Sequence, residues 1–286
     1  MSYLNGGLIM LKEMLPNLPQ SEKKIAQYMI DQPEKAINLT ASQLGKGSGT
    51  SSAAVIRLCK SLGLKGLQEL KLRIAGDIQK NDHEGYIDIE PNETVSSVIH
   101  KMTNNSIQSI KETAELLNNQ HVKTAIHLLK NARRIHFVGV GASSIIAQDA
   151  QQKFSRIDKD AYAFSDMHLA ATLVANASDD DVVVGISFSG ETKEVAKIIE
   201  LAKNKGIKTI SLTKYGNSTV AQHASINLYT SASYEPTFRS GATSSRMAQL
   251  QVIDIMFMGV ASSLYDHTLQ SLDATREAVQ FLSEKK

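Results

Sequence analysis

With 286 residues the chain has room for two domains rather than one small module. Its 42% hydrophobic and 21% charged residues exclude a disordered chain; the absence of Trp and the 5% aromatic content count against a single-strand binder that stacks bases; and the single cysteine, Cys59, excludes an internal disulfide and any Cys-rich zinc site. The net charge of +2 hides an asymmetry, since residues 1–80 hold 11 Lys and Arg against 6 Asp and Glu while the remainder holds 20 against 23, as in a basic nucleic-acid-binding head on a mildly acidic body.

The first 80 residues read as helices. Leu8, Ile9, Leu11, Met14 and Leu15 recur at helical spacing, and Pro16 and Pro19 interrupt the chain. Lys12 and Glu13 within this stretch, and the lack of a small-residue cleavage pattern, argue against a signal peptide. Ser21 is the expected N-cap of a helix over Glu22 to Asp31, and Pro33 ends that helix or starts a short one. Thr40 is placed to cap a helix through Gly45, and Gly47, Ser48 and Gly49 make a turn. Ser51 or Ser52 opens the next helix, whose apolar face is Val55, Ile56, Leu58 and Leu62, with Gly63 as its stop. Cys59 lies in this pattern as a small packed residue. A last helix spans about Leu67 to Ile78.

Residues 79–94 are poor in apolar anchors and read as a linker. Helices are expected over Val95 to Leu117 and Val122 to Asn131. From Arg134 the pattern alternates. Short apolar runs at 135–140, 161–164, 181–187, 207–212 and 226–229 are separated by helical stretches at 144–156, 167–176, 191–205 and 218–223. Strands alternating with helices imply an α/β domain with a parallel sheet covered on both faces. A long helix from about Thr243 to Tyr265 and a terminal one close the chain. The expected organisation is a helical DNA-binding domain at 1–78, the linker at 79–94, and an α/β domain at 95–286 with its core at about 120–265. The single cysteine makes a reducing cytoplasm the expected home, and no apolar run approaches the ~20 residues of a membrane helix.

A helix, a Gly-containing turn and a second helix is the shape that lays the second helix in the major groove. Thr50, Ser51, Ser52 and Ala53 stand at its N-terminus, small enough for close approach to double-stranded DNA. Arg57, Lys60, Lys65, Lys71 and Arg73 supply candidate phosphate contacts. The strings Thr40-Ala-Ser-Gln-Leu44, Ser51 to Leu64 (SSAAVIRLCKSLGL) and Gly66 to Lys71 (GLQELK) closely resemble the N-terminal domain of RpiR-type regulators. That family usually continues its first motif helix with alanines. Here Gly45 and Gly47 intervene, each costing roughly 1 kcal/mol against Ala, so a short or frayed helix is expected.

Ser187-Phe188-Ser189-Gly190-Glu191-Thr192 falls where a strand ends and a helix begins, and Gly139-Val140-Gly141-Ala142-Ser143-Ser144 follows another strand. Small hydroxyls and glycine at a helix N-terminus make an anion site. A dinucleotide fingerprint would need a third glycine three residues after Gly141, which the sequence does not offer. Together the two turns resemble the sugar isomerase (SIS) domain, which implies a five-stranded parallel sheet in an αβα sandwich, a bound phosphosugar and a homodimer or homotetramer. The resemblance implies that Ser187, Ser189 and Thr192 hold the phosphate and that Ser143 lies at the sugar. Gly141, Ser144, Phe188 and Gly190 complete the two turns.

Asp166-Met-His168-Leu and Glu235 to Arg246 are most similar to the MurR-like branch of the MurR/RpiR regulators. The implied effector is N-acetylmuramic acid 6-phosphate or the N-acetylglucosamine 6-phosphate class, with His168, Glu235 and Arg239 selecting the sugar. Isomerising relatives carry a catalytic Glu on a helix around the pocket, whereas Thr243 to Ile253 holds no carboxylate. The expectation is a repressor of amino-sugar catabolism that is not an enzyme and has no cofactor. The alternative is a sugar-phosphate isomerase or etherase with an accessory helical domain.

Overall fold

The protein is described by a computed structural model over residues 5–78, 88–232 and 243–283. It forms two compact units, Met1–Leu116 with Ser231–Thr237, and Leu117–Thr230 with Phe238–Lys286.

The helical unit runs α1 (Gly7–Met14), a 3-10 turn (Leu15–Asn17), α2 (Gln20–Asp31), α3 (Pro33–Ala36), α4 (Ala41–Gly47), α5 (Ser52–Ser61), α6 (Leu67–Ile78) and α7 (Val95–Leu116). Leu11, Ile25, Met29, Leu44, Val55, Leu58, Leu70 and Ile74 form its buried interior. The start of α1 is capped from another helix: the Asp77 carboxylate accepts from Gly6 N at 2.6 Å and Leu8 N at 2.7 Å. That satisfies orphan donors of the first turn and sets a negative charge at the positive helix end. Ser21 is not the cap of α2. The helix starts at Gln20 with Pro19 before it, because proline fixes φ at a helix-ready value and Ser21 falls within the first turn.

Helix α7 belongs to the helical unit rather than to the α/β domain as expected. Gly6, at φ +86°, lies so close that a Cβ there would stand 2.7 Å from the Glu115 carbonyl oxygen, and the Thr113 hydroxyl accepts from Ser231 N at 3.1 Å. The end of the expected linker folds back on the same helix, since Lys101 Nζ donates to Asp88 O at 2.7 Å and also to Glu93.

The second unit comprises α8 (Asn119–Asn131), β1 (Ile135–Gly139), α9 (Ala142–Ser155), β2 (Ala161–Phe164), α10 (Met167–Ala175), β3 (Val182–Ile186), α11 (Lys193–Asn204), β4 (Lys208–Lys214), α12 (Thr219–His223), β5 (Ile226–Thr230), α13 (Thr243–Ser263) and α14 (Tyr265–Ser283). Five parallel strands stand in the order β2-β1-β3-β4-β5. Alternate side chains of β3 enter opposite layers, with Val182, Val184 and Ile186 packing among α8, α9 and α13, and Val183 among α10 and α11. Burial on both faces explains why the strands read as unbroken apolar runs. The strand order reverses between β1 and β3, so the turns that follow those two strands lie side by side at the carboxyl edge of the sheet.

Near the opposite edge, His136 of β1 is 2% exposed beside fully buried Asp181, its Nε2 3.7 Å from Asp181 Oδ2. Neither ring nitrogen has a hydrogen-bond partner among the described residues, and the ring stacks with Tyr162 at 5.8 Å between centroids. Burial holds this imidazole below its ordinary value of 6.5, against the opposing pull of Asp181. Among the described residues no single helix is long and apolar enough to cross a membrane.

Candidate functional site

The turn after β3 is organised by its own hydroxyls. Ser187, 2% exposed, shares a hydrogen bond with the Thr192 hydroxyl at 2.8 Å and accepts from Gly190 N at 3.1 Å. Ser189 Oγ accepts from Glu191 N at 3.2 Å. Phe188, half-buried, uses its carbonyl to accept from Lys214 N at 2.9 Å, tying the turn to β4. Gly190 adopts φ +72°, and a Cβ there would stand 2.2 Å from the Ser218 hydroxyl, so only glycine fits. Glu191 is turned to α12, accepting from Thr219 N at 3.1 Å and from the Thr219 hydroxyl at 2.5 Å. The acidic member of the turn is thereby engaged as a helix cap.

The turn after β1 is equally tight. A Cβ on Gly139 would stand 2.5 Å from Ser143 O, and Gly141 takes φ +60°. Ser144 Oγ donates to Gly141 O at 2.7 Å, closing the first turn of α9. Ser143 is 7% exposed, and Gln249 of α13, 1% exposed, donates its amide to Ser143 Oγ at 3.4 Å. Both turns thus set small hydroxyls and helix N-termini (α9 and α11) at the switch point between β1 and β3, which suits a small anion. His168 lies in the first turn of α10, after β2, exposed, with its backbone N–H capped by Asp166 Oδ1 at 2.8 Å. Glu235 and Arg239 lie outside the described residues.

In the helical unit, Thr40 and Gln43 form a reciprocal capping box at the start of α4. The helix runs through both Gly45 and Gly47. A Cβ on Gly45 would stand 2.7 Å from the Ser51 carbonyl carbon and 2.8 Å from Ser52 N, so this glycine lets α4 lie against the start of α5. A Cβ on Gly47 would press on the Tyr28 ring at 3.1 Å. Ser51 Oγ caps α5 by accepting from Ala54 N at 3.3 Å. Gly63, at φ +69°, ends it, with Leu64 N donating back to Cys59 O at 2.9 Å.

Ser52, Ala53, Arg57 and Lys60 are exposed on one side of α5, while Ala54, Val55, Leu58 and Cys59 are buried on the other. Ile56 was expected on the apolar face and instead stands 45% exposed on the outer side. Thr50 is half-buried with its hydroxyl bonded to Ser48 at 3.0 Å, and Lys65 is exposed. Arg57 is exposed, but its Nε lies 3.7 Å from the buried Glu22 carboxylate, which also accepts from Ser61 Oγ at 2.7 Å. Arg73 is not available for phosphate, since it donates to Asn5 O at 3.0 Å and Glu69 at 3.2 Å inside the unit. Burial pushes the Cys59 thiol up to about 11, the behaviour of a packed residue.

Residues 5–81 match the helix-turn-helix domain of the rpiR family, and residues 128–259 match the SIS domain. Over 280 residues the chain is 48% identical to an HTH-type transcriptional regulator of Bacillus subtilis, YbbH, covering 98% of this chain and 99% of that one. The chain belongs to the RpiR family. A second relative, the HTH-type transcriptional regulator TTE0211 of Caldanaerobacter subterraneus, is 42% identical across 95% of this chain and 96% of its own. Among solved structures, the Vibrio vulnificus NanR protein complexed with ManNAc-6P is similar at a TM-score of 0.61 and 26% identity, covering 96% of this chain and 98% of that chain. This RpiR-family protein is accordingly a transcriptional regulator carrying a SIS domain.

One buried polar residue beside the turn after β1, Gln249, is not among the residues the sequence singles out. Gln249 sits among Ala248, Val252, Ile253 and Met256, all fully buried. An amide at an inward position of an otherwise apolar helix face was the available signal.

Proposed function

We propose that the protein is a cytoplasmic repressor of amino-sugar catabolism, controlled by an N-acetylated amino-sugar 6-phosphate bound between the turns after β1 and β3. The observation that carries this reading is the pairing of those two serine-bearing turns at the one place where the strand order reverses. Ser187, Ser189 and Thr192, with Phe188 and Gly190 shaping their turn, hold the phosphate, and Gly141, Ser143 and Ser144 face the sugar. His168, Glu235 and Arg239 select among sugars. The Vibrio relative's ManNAc-6P supports the effector class of N-acetylated hexosamine phosphates, which includes N-acetylmuramic acid 6-phosphate and N-acetylglucosamine 6-phosphate.

Thr50, Ser51, Ser52, Ala53, Arg57, Lys60 and Lys65 face double-stranded operator DNA. The head spans 1–78 and the ligand domain's core about 120–265, working as a homodimer or homotetramer without a cofactor. The ligand acts by binding two arrangements of the paired heads unequally, with a coupling of roughly 1–3 kcal/mol. Sensing rather than catalysis is favoured by Gln249, because an amide cannot take a proton from a sugar carbon as a carboxylate can.

The test is thermal denaturation of the full chain with N-acetylmuramic acid, N-acetylglucosamine and N-acetylmannosamine 6-phosphates and fructose 6-phosphate. At least one N-acetylated sugar phosphate raises the Tm by several degrees without being consumed. The Ser187→Ala/Ser189→Ala double variant loses that shift. A full shift in the double variant sinks the phosphate assignment, and turnover of any of these sugars establishes an isomerase or etherase instead.

A further inference from the structure

The outer side of α5 carries one side chain that its neighbours do not explain. Ser52, Ala53, Arg57 and Lys60 are small or cationic, as suits a surface that meets a polyanion. Ile56 stands among them, one turn beyond Ser52 and one turn before Lys60, and it is 45% exposed while every apolar residue on the inner side is buried. Its spacing from either neighbour is about 6 Å along the helix axis, so a groove that admits the N-terminus of α5 also admits Ile56. The small side chains at 52 and 53 keep the helix from being held away from such a groove.

On the base edges of the major groove, the apolar group is the thymine C5-methyl; the rest of the pattern is donors and acceptors. We propose that Ile56 is a specificity-determining residue that packs against a thymine methyl in each half-site of the operator. This rests on the reading of α5 as the DNA-facing helix and adds which base it selects. Arg57 and Lys60 flank Ile56 with the positive charge that draws in the backbone, whereas a second copy of this chain seated here would have to bury those two cations.

The experiment enriches bound sequences from a pool of random 30-base-pair duplexes with the full-length protein. Each thymine of the enriched site is then replaced, one at a time, by deoxyuridine, which keeps every hydrogen-bonding group and removes only the methyl. Binding is read by fluorescence anisotropy. The parent protein is expected to lose about three- to tenfold in affinity at one thymine per half-site, the size expected for one lost apolar contact. Ile56→Ala is expected to lose a similar factor on the parent duplex and to become indifferent to deoxyuridine at that position. Ile56→Leu, which keeps the bulk, is expected to retain the methyl dependence.

If no deoxyuridine penalty is erased by Ile56→Ala, the proposal is overturned while DNA binding stands. A change of oligomeric state in Ile56→Ala by light scattering, with the deoxyuridine penalties intact, assigns the side chain to contact between copies and also overturns it. Failure of the parent protein to enrich any duplex removes the DNA-facing reading of α5, and this proposal with it.

Discussion

At the head of α5, Ser51 and Ser52 stand exposed, whereas behind β3 and β1 Ser187 and Ser143 are 2% and 7% exposed. The residue type is the same in both regions, but the setting differs: Ser51 and Ser52 open α5 and Ser143 lies in the first turn of α9, whereas Ser187 follows β3 five residues ahead of the N-cap of α11. Under the proposed function, the opposite burial matches two anions of different size. A duplex presents a continuous row of phosphates to a flat surface, so hydroxyls and cations must face outward. A single sugar phosphate would be enclosed, which suits hydroxyls already held by bonds among themselves, such as Ser187 to Thr192. Serine near a helix start therefore does not by itself indicate what is bound; what distinguishes the two regions is exposure.

Four changes would break or sharpen that contrast. Gly190→Ala combines a positive φ with a clash at the Ser218 hydroxyl, so it costs about 3 kcal/mol and removes the thermal shift with ligand, while the head keeps its DNA affinity. Gly45→Ala drives a Cβ into the Ser51 carbonyl and costs about 2 kcal/mol of head stability, leaving the ligand shift intact; a neutral result would mean that α4 and α5 are not in fixed contact. Arg57→Ala lowers the slope of log affinity against log salt by about 0.9 per subunit bound. An unchanged slope would mean that the guanidinium serves Glu22 alone.

The smallest effect concerns the buried imidazole near the far edge of the sheet. His136 binds its proton less readily folded than unfolded, so below about pH 6.5 the unfolded chain takes up more protons and stability falls as pH falls. Thermal denaturation between pH 7.5 and 5.5 should show a loss of about 1 kcal/mol or less from this group, and His136→Gln should flatten it. An unaltered pH profile in that variant would move the dependence to other groups.

Much of this architecture was legible in the amino-acid string. The strands fell within a residue or two of expectation because a twice-covered sheet demands unbroken apolar runs such as Val182 to Ile186. The cap at Thr40 and the stop at Gly63 were readable because each is a local hydrogen-bond requirement. What escaped depends on residues far apart in the chain. Gly45 looked like a helix weakener until Ser51 was seen against it. Arg73 looked like a phosphate contact until Asn5 and Glu69 claimed it. Ile56 fits an apolar spacing with Val55 and Leu58, and only packing shows which way it points. The placement of α7 with the helical unit depends on Gly6 and Ser231, which lie 109 and 118 residues from their partners Glu115 and Thr113.

The placement of Glu191 bears on how the proposed phosphate would arrive. A carboxylate inside an anion-receiving turn would ordinarily have to swing aside before a phosphate could dock, and that movement would slow capture. Here it is committed beforehand to the N-terminus of α12 through Thr219. If a phosphate docks in this turn as proposed, the carboxylate is already engaged elsewhere and no swing of Glu191 need precede capture.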